Sequence, residues 1–241
     1  MKTLPITLPP QQKPYHIQFS PKAQDKEVSK KMNDRSKTVL ILGMTSLFMF
    51  SPLAMSLPWH PIPLFQDLGF KRESIAPPLA WILAAITAIA YVLYTMKAIP
   101  FVLAKQKEVS LFKLLGILSA LVGGIVEEVF FRRWIMDMLM SGGFNPILQV
   151  AISGVAFGLA HASWTLLAKR DFKATLPAIL STSILGIFLA IISTSILGIS
   201  LAVVYLAGGR NLGPCIFAHV LINLVLEPWL MLSAVSGKWR A

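Results

Sequence analysis

The chain has a single cysteine, Cys215, in 241 residues. One thiol excludes an internal disulfide framework and leaves no cysteine cluster for zinc. Nothing beside it in sequence would activate it as a nucleophile, so it reads as a packing residue. Charge is also scarce. Asp, Glu, Lys and Arg make up 14% of the chain, against roughly 25% in soluble domains. Acids are the rarer sign, 11 against 22 Lys and Arg, which leaves a formal net charge of +11. No basic stretch interleaves with aromatics, so the excess does not point to nucleic acid. Lys and Arg gathering on the cytoplasmic side of membrane spans accounts for it.

Apolar residues are abundant, at 55% of the chain with a mean hydropathy of +0.68. The charge is concentrated at one end: residues 1–37 carry eight Lys/Arg and three acids. That segment reads as a polar tail. It does not read as a signal peptide, because the apolar run starts late and lacks a small-residue cleavage site. Beyond it come runs that pass the ~18 apolar residues of a membrane span. We expect an all-α polytopic membrane bundle of about six transmembrane helices. The spans are placed at about Thr38–Leu57, bent or ended near Pro52, and about Ile75–Met96. A third runs from Leu111 past an acid pair, a fourth lies at Ile147–Leu167, a fifth within Leu176–Ala207, and a sixth at Leu212–Ser233. The organisation is then a tail (1–37), two spans with their loops (38–110), a catalytic core (111–233) and a short C-terminal tail (234–241). Six spans put both termini on one side. That side owns seventeen Lys/Arg and the other at most five, so the termini are expected in the cytoplasm. The same count places the Gly142–Asn145 turn outside and His219 toward that outer face.

The fifth run holds a duplication: Ser181–Ile187 recurs as Ser193–Ile199, twelve residues on. Twelve residues do not make a solenoid unit. A local duplication that lengthened one helix is the simpler reading. At 1.5 Å per residue the run would reach ~48 Å, against ~30 Å of hydrocarbon. It must tilt, bend at Gly186 or Gly198, or protrude. We assign the repeat no catalytic role here.

Ionisable groups inside a bilayer cost ~2.5 kcal/mol or more each and are functional candidates by default. They are Glu127, Glu128, Arg132, Arg133 and Asp137 in the third span, His161 in the fourth, and His219 and Glu227 in the sixth. Glu128 and Arg132 are four apart, share a helix face and can pair, which also suits a purely structural clamp. Glu127 lies about 100° round the helix from Glu128, so it can face a different cavity as a general base. Ser119, Ala120, Gly123 and Gly124 precede it and allow a neighbouring helix close. Phe157 and His161 are four apart, so the ring can pack beneath the imidazole. A lone His on an apolar helix is more often a satisfied core residue, so the case rests on the set. His219 and Asn223 share a face; the amide either orients the imidazole or points with it at one substrate group. Glu227 continues that stripe and reads as a membrane-surface residue before Pro228. Glu127 stands seventeen residues before Phe144 and His161 seventeen after, so an antiparallel pair would bring them to equal depth. Carboxylate, two imidazoles and an amide can hold zinc, or activate water and stabilise an oxyanion.

Three segments together resemble the CPBP family, the CAAX proteases and bacteriocin-processing enzymes also called Abi, including the type II CAAX prenyl endopeptidases. The family pattern is EExxxR, FxxxH, then HxxxN or HxxxD. It reads here as Glu127-Glu128-Val-Phe-Phe-Arg132, Phe157-Gly-Leu-Ala-His161 and His219-Val-Leu-Ile-Asn223, preceded by the lead-in Gly208–Pro214. The resemblance covers about residues 111–230. It implies a membrane helix bundle and an endopeptidase. Glu127 would activate the water, His161, His219 and Asn223 would complete the site, and Glu128, Arg132 and Phe157 would support it. Zn²⁺ remains open, with Glu127, His161 and His219 as its ligands, although neither His lies in H-E-x-x-H spacing; a glutamate-activated water is the preferred reading. The implied partners are a membrane-associated or lipidated protein or peptide substrate and the lipid bilayer, in an integral multi-pass protein expected in a bacterial plasma membrane. The alternative is a non-catalytic immunity or scaffold factor on the same core.

Overall fold

The computed structural model describes the backbone of residues 33–56, 75–168 and 176–238, with side chains described through 33–51, 54, 75–161 and 191–238. Among the described residues all regular structure is helical. The polytopic helix bundle read from the sequence is the fold.

Helix α1 is Asp34–Ser56, α2 Pro78–Ala98, α3 Pro100–Lys105 and α4 Leu111–Glu128. A π-helical stretch, Val129–Met136, carries α4 into α5, Asp137–Ser141. Then come α6 (Pro146–Ala168), α7 (Leu176–Ala207), α8 (Gly213–Leu226) and α9 (Trp229–Ser236). Proline begins α2, where a missing N–H costs nothing, and Pro100 follows its end. Ser110 caps α4, its hydroxyl accepting from Lys113 N at 3.3 Å, a bond that satisfies one orphan donor of the first turn.

Two rods, Pro78–Ala98 and Leu111–Ser141, are each long and apolar enough to cross a membrane, and α8 with α9 passes the same test as one span bent by 54°. Shorter apolar helices, Pro146–His161 and Ile191–Ala207, stand beside them. Three expectations need correction. Helix α1 runs through position 52 to Ser56 rather than ending there. The sixth span breaks at Glu227–Pro228, because the proline ring has no N–H and cannot continue the helix. Lys113 Nζ takes up the freed carbonyls, donating to Leu224 O at 2.6 Å, Val225 O at 3.3 Å and Glu227 O at 2.7 Å. The third span is not uniformly α-helical but widens into the π stretch.

Close backbone approach sets the packing. A Cβ built on Gly124 would lie 3.1 Å from Val220 N, and one on Gly116 would lie 2.6 Å from Pro228 N. Helices α4 and α8 therefore run antiparallel in near-backbone contact. A Cβ on Gly158 would meet Ile191 O at 2.8 Å, and one on Gly198 would meet Gly154 O at 2.9 Å, so α6 and α7 are equally close. Gly209 and Arg210 take φ of 63° and 65° in the turn into α8. Arg210 reaches Asp137 Oδ1 and Gln149 Oε1, both at 2.5 Å, and Tyr205 donates to Asp137 at 3.2 Å. This clamp ties α5, α6 and α7 to the start of α8. At the opposite end of the bundle Glu108 pairs with Arg35 and, at 2.9 Å, with Lys105. The Lys105 hydrogen bond and the Arg35 charge hold its carboxyl below the usual range.

Candidate active site

Glu127 and Glu128 close α4 just ahead of the π stretch, and such stretches are frequent at functional sites. Neighbours on a helix diverge by about 100°, and the two carboxylates do so. Glu128 turns inward and is fully buried. Its Oε1 lies 2.7 Å from His219 Nδ1 and its Oε2 lies 3.0 Å from Arg132 Nε. Arg132 is also fully buried, with its guanidinium 4.9 Å from the Phe157 ring centroid. Its two terminal nitrogens hydrogen-bond to nothing among the described residues. Removing either member of such a buried pair strands a charge.

Glu127 turns the other way. Its Oε2 stands 3.4 Å from His161 Nε2 and 3.8 Å from His219 Nε2. His161 Nδ1 sits 2.9 Å from Phe157 O. A carbonyl can only accept, so that nitrogen carries the proton. Phe157 packs against both imidazoles, tilted 4.3 Å from the His161 ring and edge-on 5.5 Å from the His219 ring. Each Nδ1 is thus tethered, and each Nε2 faces the same carboxylate oxygen.

The arrangement opens into a cavity of about 650 Å³. Glu127, His161, His219 and Asn223 form one end. From there the wall passes Glu227 and Ser119 to the C-terminal end of α2 and to Leu230 and Ala234 of α9. Three corrections follow. Glu128, not Asn223, orients the His219 imidazole; Asn223 lines the cavity beside it. Glu227 does not simply face outward before Pro228: it is half-buried and lines the cavity, its Oε2 accepting from Met231 N at 3.3 Å. Asp137 belongs to the Arg210 clamp, away from the cavity. Sequence reasoning missed the hydroxyls of α2 and α7 on the cavity wall, although Tyr91 and Thr95, four apart in an otherwise apolar helix, were a signal.

The donors also fit a metal. One ligand atom each from Glu127, His161 and His219 lies within 4.8 Å of the others. Two imidazoles and a carboxylate make a three-ligand catalytic zinc set with an open position, and tethered Nδ1 atoms are the usual outer support of such ligands. Bound there, Zn²⁺ would supply Lewis acidity and a more acidic water.

Residues 109–225 match the family model described as type II CAAX prenyl endopeptidase Rce1-like. The matched segment, just under half of the chain, is similar to that family. No curated protein and no solved structure matches the chain. The Rce1-like segment begins one residue before the Ser110 cap and ends in the last turn of α8, so it contains all three motifs and the Glu128–Arg132 pair. It implies a protease embedded in a membrane. Helices α1, α2 and α9, which also wall the cavity, lie outside the matched residues.

Proposed function

We propose that this protein is an intramembrane endopeptidase of the CAAX type, in which Glu127 makes a water nucleophilic. The observation that carries the reading is the convergence of Glu127 Oε2 on two tethered imidazoles, at 3.4 and 3.8 Å. Water held against that oxygen gives Glu127 its proton as the hydroxide oxygen bonds to the scissile carbonyl carbon. The carbonyl electrons move onto oxygen, where the Asn223 amide and the Nε2–H of a protonated imidazole donate to the oxyanion. Glu128 stabilises the charged form of His219 through Nδ1, as the buried acid of a serine-protease triad does for its histidine. When the intermediate collapses, the C–N bond breaks and Glu127 returns its proton to the departing amine. Arg132 keeps Glu128 ionised for that task. Should Zn²⁺ occupy the site, Glu127, His161 and His219 are the residues that hold it.

The substrate we assign is the C-terminal segment of a lipidated protein, because Leu226, Leu230, Met231 and Ala234 give the cavity an apolar side that suits a lipid chain. The test is cleavage of a farnesylated C-terminal tetrapeptide by the purified protein in liposomes. Wild type releases the tripeptide and Glu127→Gln does not, while both accumulate equally. Wild-type cleavage by Glu127→Gln would overturn the mechanism. Adding a strong zinc chelator to the same reaction separates the two chemistries: undiminished cleavage assigns the water to Glu127 alone, and loss restored by Zn²⁺ assigns a metal.

A further inference from the structure

Beside the acid and the imidazoles, part of the cavity wall carries hydroxyls. Tyr91 and Thr95 come from α2, Ser193 and Thr194 from α7, and Ser46 from α1. The Tyr91 hydroxyl of α2 is within interaction range of Ser193 of α7 and of Thr95, so the hydroxyls bridge two helices, and the Thr194 hydroxyl donates to Ile191 O of its own helix at 3.3 Å. The Ser46 hydroxyl oxygen is buried and hydrogen-bonds to nothing among the described residues. Ser193 and Thr194 open the second copy of the duplication, Ser193–Ile199. The same copy seats the helix: Gly198 and Ser195 meet Gly154 and Gly158 of α6, while Ser193, Thr194 and Leu197 face the cavity. One heptapeptide therefore fixes the distance to the His161 helix and presents hydroxyls to the space beside His161.

An extended peptide entering a bilayer must find partners for its backbone N–H and C=O groups. Hydroxyls donate and accept at once and keep spare lone pairs even when linked in a chain. They bring no charge to be desolvated, and they bond main chain whatever the side chains are. We infer that the Tyr91–Ser193–Thr194 strip is a main-chain recognition wall, holding the substrate backbone beside the scissile bond, and that the duplicated segment supplies its α7 half. The inference rests on the endopeptidase reading above.

The test uses the farnesylated tetrapeptide and analogues in which an ester replaces one amide at a time next to the cleaved bond, removing a single N–H. The protein is Ser193→Ala/Thr194→Val, which keeps side-chain volume, with Ser200→Ala as control; Ser200 bonds its own helix at Ile196 O and does not line the cavity. The expected result for the double variant is a KM roughly three- to tenfold higher, in line with one or two modest hydrogen bonds, with kcat held within about twofold. At one ester position the wild type loses the same factor and the double variant loses nothing further. A double variant with wild-type accumulation and wild-type KM overturns the recognition wall alone. So does ester sensitivity that is the same in both proteins. A wild type that leaves the all-amide peptide whole overturns the endopeptidase reading and the wall with it.

Discussion

The two adjacent glutamates divide their work by direction. Glu127 faces the cavity, and Glu128 faces the buried pair of Arg132 and His219. Asn223→Ala should lower kcat by about 10²–10³ with little change in KM, the cost of one lost oxyanion donor, read from initial rates on the farnesylated peptide. Glu128→Gln should fail differently. It strands the Arg132 cation, so both accumulation and activity fall; breaking a buried pair costs about 3–5 kcal/mol. Adding Arg132→Met should restore the thermal midpoint in detergent without restoring turnover. Recovery of full turnover in that double variant would show that Glu128 has no part in orienting His219. The divergence of the two acids was legible from i, i+1 spacing, and the Glu128–Arg132 pair from i, i+4 spacing. The partner of His219 was not. Glu128 lies 91 residues before it, and the contact depends on how deeply Gly124 lets Val220 approach, which helical spacing does not report.

At the scale of elements, the glycines decide where the side chains of the candidate site meet. Gly158→Ala would place a Cβ 2.8 Å from the Ile191 carbonyl oxygen, which is backbone and cannot swing aside. Helices α6 and α7 must then part. The expected cost is about 1–3 kcal/mol, seen as a lower thermal midpoint, with a loss of cleavage because His161 sits one turn further on. Gly43→Ala in α1 is the matched control: nothing lies within 4 Å of its added methyl, and alanine favours helix over glycine by about 1 kcal/mol. An unchanged midpoint for Gly158→Ala would mean that the two helices do not hold this separation. Helix existence and order were readable from apolar run length. The π stretch was not, because Val129–Met136 has no residue type that forbids an ordinary α-turn. The break before Trp229 was signalled by Pro228, but only the Lys113 cap made from α4 shows how the span tolerates it.

For the whole molecule, the direction in which the cavity opens bears on the side from which the site is reached. His219 rides on a helix that begins at the outer turn, which by itself suggested access from outside. Glu127, however, lies sixteen residues after Leu111 and fourteen before Ser141, near the middle of its rod. The cavity runs from there toward Ile99, Leu230 and Ala234, the end that carries Lys97, Lys105 and Lys113. We therefore expect a thiol at Ala234→Cys, in a Cys215→Ser background, to react with a membrane-impermeant reagent from the cytoplasmic side and to be protected by substrate peptide. A thiol at Ser141→Cys should react from the opposite side. Labelling of both from one side would overturn the topology. The depth of the site was legible only in part, since sequence spacing placed Glu127 and His161 level with each other but could not say which way the space beneath them opened.

Helix α8 is gripped at both extremities. The left-handed Gly209–Arg210 corner is bound to Asp137 and Gln149 at its start, and the Lys113 ammonium holds three carbonyls at its finish. A shaft pinned at each end resists sliding and pivoting, so we expect the His219 imidazole to keep its place when a ligand enters the cavity. Of the helices that wall the cavity, α1 is the one with much of its apolar face exposed, Met44, Leu47 and Phe48 among it, which makes it, rather than the motif-bearing helices, the natural target for a molecule meant to block the cavity.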